Sequence, residues 1–148
     1  MTVYHGTTIE RAKNIFRCKQ IFRTNDDIKR FPKSDNGYVY VTDNFVVALE
    51  FATRNLKIDS KEIGVVFKIE IDECQLILDK DENENSSFYD SSVNYTGYKI
   101  NKDLVLGEDV IKVLFKEVSY TNYDDYLNKL SRGFIQISEK EWEDLTKE

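Results

Sequence analysis

Two stretches of alternating apolar side chains constrain the fold of this chain most strongly. They are "GVVFKIEID" (residues 64–72) and "DVIKVLFKEV" (residues 109–118). Alternation of this kind is typical of β-strands that bury one face. We therefore expect both stretches to be strands and to pair in one sheet. The alternating apolar residues are Val65, Phe67, Ile69 and Ile71 in the first stretch and Ile111, Val113 and Phe115 in the second.

The N-terminus indicates a strand followed by a helix. "TVYH" (residues 2–5) is β-branched and aromatic, and "TTIERAKNIFRCK" (residues 7–19) has apolar residues at helical spacing. Thr7 and Glu10 have the spacing of a capping box, in which the Thr side chain accepts from a backbone amide of the first turn. The helix is therefore expected to begin immediately after the strand.

A second strand and helix follow further along the chain. "YVYVT" (residues 38–42) reads as a strand, and "DNFVVALEFATRN" (residues 43–55) as a helix capped by Thr42 or Asp43. The apolar stripe of this helix is predicted to contain Phe45, Ala48, Leu49 and Ala52.

Shorter elements complete an expected α+β fold in one domain covering residues 1–148. Runs of strands, with helices mainly in the N-terminal half and near the C-terminus, favour this class over regular βαβ winding. The remaining predictions are short strands within 75–79, 95–100 and 134–137, a helix over 122–130, and exposed loops over 79–94 and most of 21–37.

Charge limits the classes of partner. The chain has 21 basic and 27 acidic residues, a formal charge of -6. Because broad binding to a phosphate backbone requires many Lys and Arg contacts, nucleic acid is not expected as a generic partner. "IKRFPK" (residues 28–33) is the best candidate for a local basic cluster, and such runs are usually solvated loops.

The cysteines and the hydropathy predict a compartment. Cys18 and Cys74 have no metal-binding or redox spacing and are expected to be reduced thiols of an intracellular protein. No stretch reaches the roughly 18 apolar residues of a membrane span. We expect a protein of the cytoplasm, or one delivered into the cytoplasm of a target cell, without a membrane partner.

The two strand-to-helix units carry motifs that suggest a function. The first contains "YHGT" (residues 4–7), with the one histidine of the chain, and the second contains "GYVYVT" (residues 37–42) before an Ala-containing helix. Together they resemble the ADP-ribosyltransferase superfamily, in the His-Tyr-Glu branch that includes the poly-ADP-ribose polymerases and small bacterial and phage relatives. The resemblance implies a split antiparallel sheet with flanking helices, and NAD as substrate.

The resemblance assigns roles to the first motif. His5 would hydrogen-bond a ribose hydroxyl of NAD, because imidazole offers a donor and an acceptor. Gly6 would hold the nicotinamide carboxamide with its backbone, which requires close approach. Thr7 would contact ribose or, alternatively, cap the following helix. The alternatives for the other two are a structural histidine at a strand end and a glycine in an ordinary turn.

The second motif supplies aromatic side chains. By resemblance, the ring of Tyr40 would stack on nicotinamide, whose cationic ring an aromatic face can hold. Phe51, which lies off the predicted apolar stripe, occupies the position of a second aromatic residue. The alternative for Tyr40 is a core tyrosine next to Tyr38 and Val39.

The sequence departs from the family at the third motif position. Relatives have a glutamate at the start of a late strand, where it stabilises the cationic ribose formed as nicotinamide leaves. Here the matching segment places Gly97 at that position. Glu108 could be the acid if the strand is misplaced, Glu82 or Glu84 could reach back over the pocket, or the acid is absent.

The expected function is mono-ADP-ribosyl transfer from NAD. Its predicted catalytic residues are His5, Tyr40 and Glu108, and its binding residues are Gly6, Thr7, Tyr40 and Phe51. No metal is expected, because no residue set has metal-ligand spacing. The acceptor is expected to be a protein rather than nucleic acid. The alternatives are a module that binds NAD or ADP-ribose without turnover, which Gly97 favours, and an interaction protein acting on a host or defence factor.

Overall fold

The computed structural model describes residues 1–25, 36–53, 62–84, 94–118 and 135–136. Those residues form an α+β arrangement, as expected from the sequence. The elements are β1 (Thr2–Thr8), α1 (Ile9–Cys18), β2 (Gln20–Ile21), β3 (Val39–Thr42), α2 (Phe45–Thr53), β4 (Glu62–Glu70), a 3-10 turn (Glu73–Gln75), β5 (Leu76–Leu78), α3 (Lys80–Glu84), β6 (Gly97–Ile100), β7 (Leu104–Val105), β8 (Val110–Val118) and β9 (Ile135–Gln136).

Seven of the strands form one antiparallel sheet. Their order is β5-β6-β3-β1-β4-β8-β9, and β2 pairs with β7 separately. The predicted pairing of the two alternating stretches is confirmed, because β4 and β8 are antiparallel neighbours with Phe67 opposite Val113. The short strands expected within 75–79, 95–100 and 134–137 are also present as β5, β6 and β9.

The two faces of the sheet are covered differently. On one face, which we call the α1 side, side chains such as Val3 and Phe67 pack in a core with Ala12 of α1. Successive residues of a strand point to opposite faces of the sheet. Gly6 is three residues after Val3 in β1 and therefore lies on the other face, which we call the α2 side. There α2 buries its own apolar residues. They are Val47, Ala48, Leu49 and Ala52.

The first helix begins one residue later than predicted. Thr8, not Thr7, is the N-cap of α1, and its hydroxyl accepts from the backbone N–H of Arg11 at 3.4 Å. The ladder between β1 and β4 continues to Thr8 opposite Gly64. Because this pairing keeps Thr7 in the strand, the local capping pattern does not decide the boundary.

The cap of α2 also differs from the prediction. The side-chain oxygen of Asn44 accepts from the backbone N–H groups of Val46 at 2.9 Å and Val47 at 3.3 Å. Thr42 is the last residue of β3, and the Asp43 carboxylate instead accepts from a backbone N–H that precedes β6. Asn44 therefore does the capping that was expected of Thr42 or Asp43.

The polar stretch expected to be an exposed loop contains a short helix. α3 covers Lys80–Glu84, and Glu82 lies in its first turn, where an acidic side chain interacts favourably with the helix dipole. The remaining part of that stretch, the helix predicted over 122–130 and the basic run at 28–33 lie outside the described residues. Among the described helices, none is both long and apolar enough to span a membrane.

Candidate functional site

The sheet has a narrow connection at its centre. β1 pairs with β4 at seven consecutive positions, from Thr2 to Thr8. On its other side, in the ladders that the structure describes, β1 pairs with β3 only at Tyr4 opposite Thr42. Continuing that register would place Gly6 opposite Tyr40, but the ladder ends before this pair. The two halves of the sheet therefore separate next to Gly6.

His5 connects the two strands at this point. Its Nδ1 lies 2.8 Å from the backbone oxygen of Tyr40. Because a carbonyl oxygen only accepts, Nδ1 carries the proton of this bond, and Nε2 of the neutral ring is an acceptor. The imidazole is half-buried. The position of the one histidine is thus fixed by the backbone of the second motif.

Gly6 lies inside β1, so its assignment to an ordinary turn is wrong. A Cβ at this position would lie 1.9 Å from the backbone oxygen of Ala48 and 3.2 Å from the backbone nitrogen of Ala52. The backbone of α2 therefore packs directly on Gly6, and no side chain fits between them. This packing alone explains a glycine here.

Tyr40 lies on the α2 side of the sheet. Its neighbours Val39 and Val41 are buried in the core of the α1 side, while Tyr40 is half-buried. The ring centroid of Tyr40 is 6.5 Å from that of Tyr38. Tyr40 is therefore not part of the core that the two valines join, and its ring borders the surface near the gap between β1 and β3.

Phe51 is also close to this gap. It follows Ala48 by three residues in α2, so the two side chains share one side of the helix. Ala48 is the residue that contacts Gly6, and Phe51 is half-buried. The helix therefore brings Phe51 towards the same part of β1 as Gly6.

Thr7 and Glu108 have different positions. Thr7 is 4% exposed and lies on the α1 side with His5, two residues before it. Glu108 is exposed in the turn between β7 and β8, where its backbone N–H donates to Val105. Since β8 is separated from β3 by β4 and β1, the structure does not bring Glu108 together with Tyr40.

Gly97 is covered by the side chain of Glu82. Gly97 begins β6 and is paired with Thr42, so it lies on the same side of the sheet as Tyr40. A Cβ on Gly97 would lie 3.2 Å from both Cβ and Cγ of Glu82. The hydroxyl of Tyr95 donates to Oε1 of Glu82 at 2.5 Å. The side chain of Glu82 thus lies over Gly97 and is held by Tyr95.

Asn83 anchors α3 to the same glycine. Its amide nitrogen donates to the Gly97 oxygen at 3.0 Å, and its amide oxygen accepts from the Gly97 N–H at 3.1 Å. The side chain therefore binds Gly97 as a neighbouring strand would, just after β5 ends. Sequence reasoning missed this contact, because nothing in a polar five-residue helix indicates which distant backbone it binds.

Asp79 precedes α3 next to Glu82. Burial raises the pKa of its carboxyl above the ordinary 3.8, although a hydrogen bond from the backbone of Glu82 lowers it. Among the weaker effects, the charge of Glu82 raises this pKa and that of Lys99 lowers it. Two carboxyl groups therefore lie close together at the start of α3.

Comparison with known proteins adds no family. No protein-family model matches the chain, and neither a curated protein nor a solved structure matches it. In the part of the chain that the structure describes, there is no group of three or more His, Cys, Asp or Glu side chains placed to hold a metal ion.

Proposed function

We propose that this protein is a mono-ADP-ribosyltransferase that cleaves the nicotinamide N-glycosidic bond of NAD. The observation that carries the proposal is the bond between His5 and the Tyr40 backbone, next to the point where the β1–β3 ladder ends. It brings the two motifs of the sequence together around Gly6. The site would be this gap, with Tyr40 and Phe51 on the α2 side.

The chemistry of each group fits a part of NAD. Nε2 of neutral His5 can accept a hydrogen bond from a ribose hydroxyl. Gly6 can present backbone N–H and C=O groups to the carboxamide, which carries the complementary acceptor and donor. The ring of Tyr40 or Phe51 can stack on the cationic nicotinamide. Together these contacts would hold nicotinamide at one end of the gap.

The proposed reaction proceeds by loss of nicotinamide. The glycosidic C–N bond breaks, and its electron pair stays on the pyridinium nitrogen, so nicotinamide leaves as a neutral molecule. The ribose carbon becomes oxocarbenium-like, as in glycoside hydrolysis. An acceptor nucleophile then bonds to this carbon and loses its proton. With a net charge of -6, the chain favours a protein acceptor over nucleic acid.

The test is nicotinamide release from NAD by the purified chain, with and without cell lysate as a source of acceptor. His5→Ala and Tyr40→Ala should each lower release by about 10-fold or more, since both remove contacts at the bond that breaks. Tyr38→Ala, a change of the same size just before β3, should retain most of the activity. Wild-type protein that binds NAD without releasing nicotinamide would exclude the transferase.

A second candidate function is NAD or ADP-ribose binding without turnover. Gly97 favours it, because β6 provides no side chain at the position where the family has its acid. This candidate predicts saturable NAD binding that Tyr40→Ala weakens, with no nicotinamide formed over long incubation.

A further inference from the structure

Strand β5 lies at an edge of the seven-stranded sheet. In the described part of that sheet its one neighbour is β6, with Leu76 opposite Ile100 and Leu78 opposite Tyr98. An edge strand presents backbone N–H and C=O groups to which a further strand can bind. The groups that β5 presents follow from its register with β6.

The register decides which backbone groups of β5 point away from β6. The N–H of Asp79 donates to the Gly97 oxygen at 3.0 Å, which places this pair at a hydrogen-bonded position of the ladder. Hydrogen-bonded and non-hydrogen-bonded positions alternate along an antiparallel ladder. Ile77, two residues earlier, therefore directs both of its backbone groups to β6. Leu76 and Leu78 direct theirs away from β6.

Three of these outward groups are available to a further strand. The N–H of Leu76 is already used, because it donates to the oxygen of Glu73 in the preceding 3-10 turn. Among the hydrogen bonds of the described residues, none involves the C=O of Leu76 or the N–H and C=O of Leu78. We call this outward side of Leu76–Leu78 the β5 edge.

The side chains of the β5 edge are apolar, and two of them are exposed. Ile77 is 41% exposed and Leu78 is 50% exposed. Ile77 lies on the α2 side with Lys99, and Leu78 lies on the α1 side next to Tyr98. Leu76 packs against the core of the α1 side. An added strand would therefore cover apolar surface on both faces of the sheet.

Charged residues flank the β5 edge instead of interrupting it. Many edge strands are protected from pairing by a charged side chain or a proline within the strand, and β5, although short, has neither. Residues 72–84 contain six acidic residues and one lysine, all before or after β5. The edge is thus apolar at its centre and acidic at both ends. The acidic residues are Asp72, Glu73, Asp79, Asp81, Glu82 and Glu84.

We propose that the β5 edge binds an extended segment of a partner protein, with apolar residues at its centre and Lys or Arg at its ends. The segment would join the sheet as a further strand through the outward backbone groups of Leu76 and Leu78. Its basic ends would face the acidic ends of β5. This surface is separate from the gap of the proposed nicotinamide site, because β6 lies between β5 and β3.

Charge argues against a second copy of this chain as the occupant. Both ends of β5 are acidic, so two copies paired in either direction would bring acidic ends together. Like charges in neighbouring strands are destabilising, and each copy also carries a formal charge of -6. A basic segment meets no such repulsion and gains an attraction that salt weakens.

The first test is binding of a labelled synthetic peptide, Lys-Arg-Val-Val-Val-Lys-Arg with blocked ends, to the full chain by fluorescence anisotropy. We expect saturable binding that weakens at least about threefold from about 50 mM to about 500 mM NaCl. A control peptide with Glu in place of each Lys and Arg should bind at least about 10-fold more weakly. Equal binding of the two peptides would contradict the role of charge.

N-methylated peptides test strand addition without changing the protein. Alternate residues of an added strand direct their N–H groups to β5. One form of the basic peptide carries the methyl group on the second valine, and another carries it on the first and third. One form should bind at least about 10-fold more weakly than the unmodified peptide and the other within about threefold, because one set of N–H groups faces the edge. Equal affinities of the two forms would exclude strand addition.

Leu78→Lys and Phe22→Lys are matched variants of the protein. Phe22 is 46% exposed and follows β2, which belongs to the separate two-stranded sheet. Leu78→Lys should weaken binding at least about 10-fold, because a lysine within an edge strand opposes pairing. Phe22→Lys should stay within about twofold of the wild type, since salt screens a distant charge. Leu78→Pro removes the outward N–H, keeps the bonds of Ile77 to β6, and should weaken binding about fivefold.

The remaining outcomes are decisive. Absence of saturable binding by the basic peptide would overturn the proposal, because backbone contacts do not require one particular apolar sequence. Equal weakening by Leu78→Lys and Phe22→Lys would also overturn it, since the cause would then be the net charge of the protein. A dimer of the wild type in sedimentation experiments that Leu78→Pro abolishes would show that a second copy occupies the β5 edge, and would overturn the assignment to a basic partner.

Discussion

The imidazole Nδ1 of His5 lies 2.8 Å from the backbone oxygen of Tyr40, just beyond the last residue pair of the β1–β3 ladder. A side chain therefore forms the connection between strands where the backbone ladder has ended. His5 has a structural role in this bond through Nδ1 and, in the proposed function, a binding role through Nε2. The two roles belong to different atoms and can be separated.

We predict that two substitutions of His5 differ in their effect on stability. Asn can place its amide near the position of Nδ1 and keep the bond to Tyr40, whereas Gln reaches the position of Nε2. His5→Asn should keep the free energy of unfolding within about 0.5 kcal/mol of the wild-type value and lose most of the nicotinamide release. His5→Gln should lower the free energy of unfolding by about 1 kcal/mol, because it loses the hydrogen bond to the Tyr40 backbone. Urea denaturation and the release assay measure both. Full activity of His5→Asn would contradict a role for Nε2.

The two glycines are predicted to respond differently to alanine. Gly6→Ala should destabilise the protein by about 3 kcal/mol, because its Cβ would meet the backbone oxygen of Ala48. Gly97→Ala should cost less than about 1 kcal/mol, since its Cβ would meet the side chain of Glu82, which can move. Urea midpoints at equal m-values measure the difference.

A control for the first substitution is available in α2. Ala48→Gly removes a methyl group and keeps the backbone oxygen that blocks a Cβ on Gly6. The double variant Gly6→Ala/Ala48→Gly should therefore be no more stable than Gly6→Ala. Recovery of stability in the double variant would show that the Ala48 side chain, and not the helix backbone, excludes the Cβ.

The elements with strong periodicity were predictable from the sequence. The strands within 64–72 and 109–118 and their pairing are confirmed, because alternation reports burial of one face directly. Both strand-to-helix units are confirmed as well. The helix starts differ from the prediction by one or two residues. For α1 the cause is the pairing of β1 with β4, a contact that is distant in sequence. For α2 it is that Asn44 caps the helix where neighbouring residues were also suitable caps.

The site was only partly predictable. The motifs selected His5, Gly6 and Tyr40 as candidate residues, but they did not indicate the bond from His5 to the Tyr40 backbone or the packing of α2 on Gly6. α3 was expected to be a loop because its five residues are all polar and carry no apolar period. Its position depends on the backbone of Gly97, to which Asn83 binds, and no local pattern encodes that contact.

The helix cap of α2 gives a further prediction. Asn44→Ala should lower the free energy of unfolding by about 1 kcal/mol, because two backbone N–H groups lose their acceptor. Asn44→Ser should recover most of that loss, since Ser is also a good N-cap. Thermal and urea denaturation of the two variants provide the comparison. Equal stability of Asn44→Ala and the wild type would exclude Asn44 as the cap.

The raised pKa of Asp79 predicts how stability depends on pH. Burial is its largest cause, and the folded protein therefore binds the Asp79 proton more tightly than the unfolded chain does. The resulting stabilisation is complete below the ordinary pKa of 3.8 and is lost as the pH rises through the raised value. The wild type should accordingly lose stability relative to Asp79→Asn as the pH rises through that window, and the difference should be constant above it.

The groups around Asp79 sharpen this test. Asp81, Glu82 and Lys99 supply the charges that act on it, and Lys99 holds its pKa down. Lys99→Met should therefore move the loss of stability to higher pH, whereas Asp79→Asn should remove it. Urea denaturation at intervals from about pH 3 to pH 7 measures the three proteins. The prediction is contradicted if the wild type becomes more stable relative to Asp79→Asn as the pH rises. That result would show that the fold stabilises the ionised form of the Asp79 carboxyl.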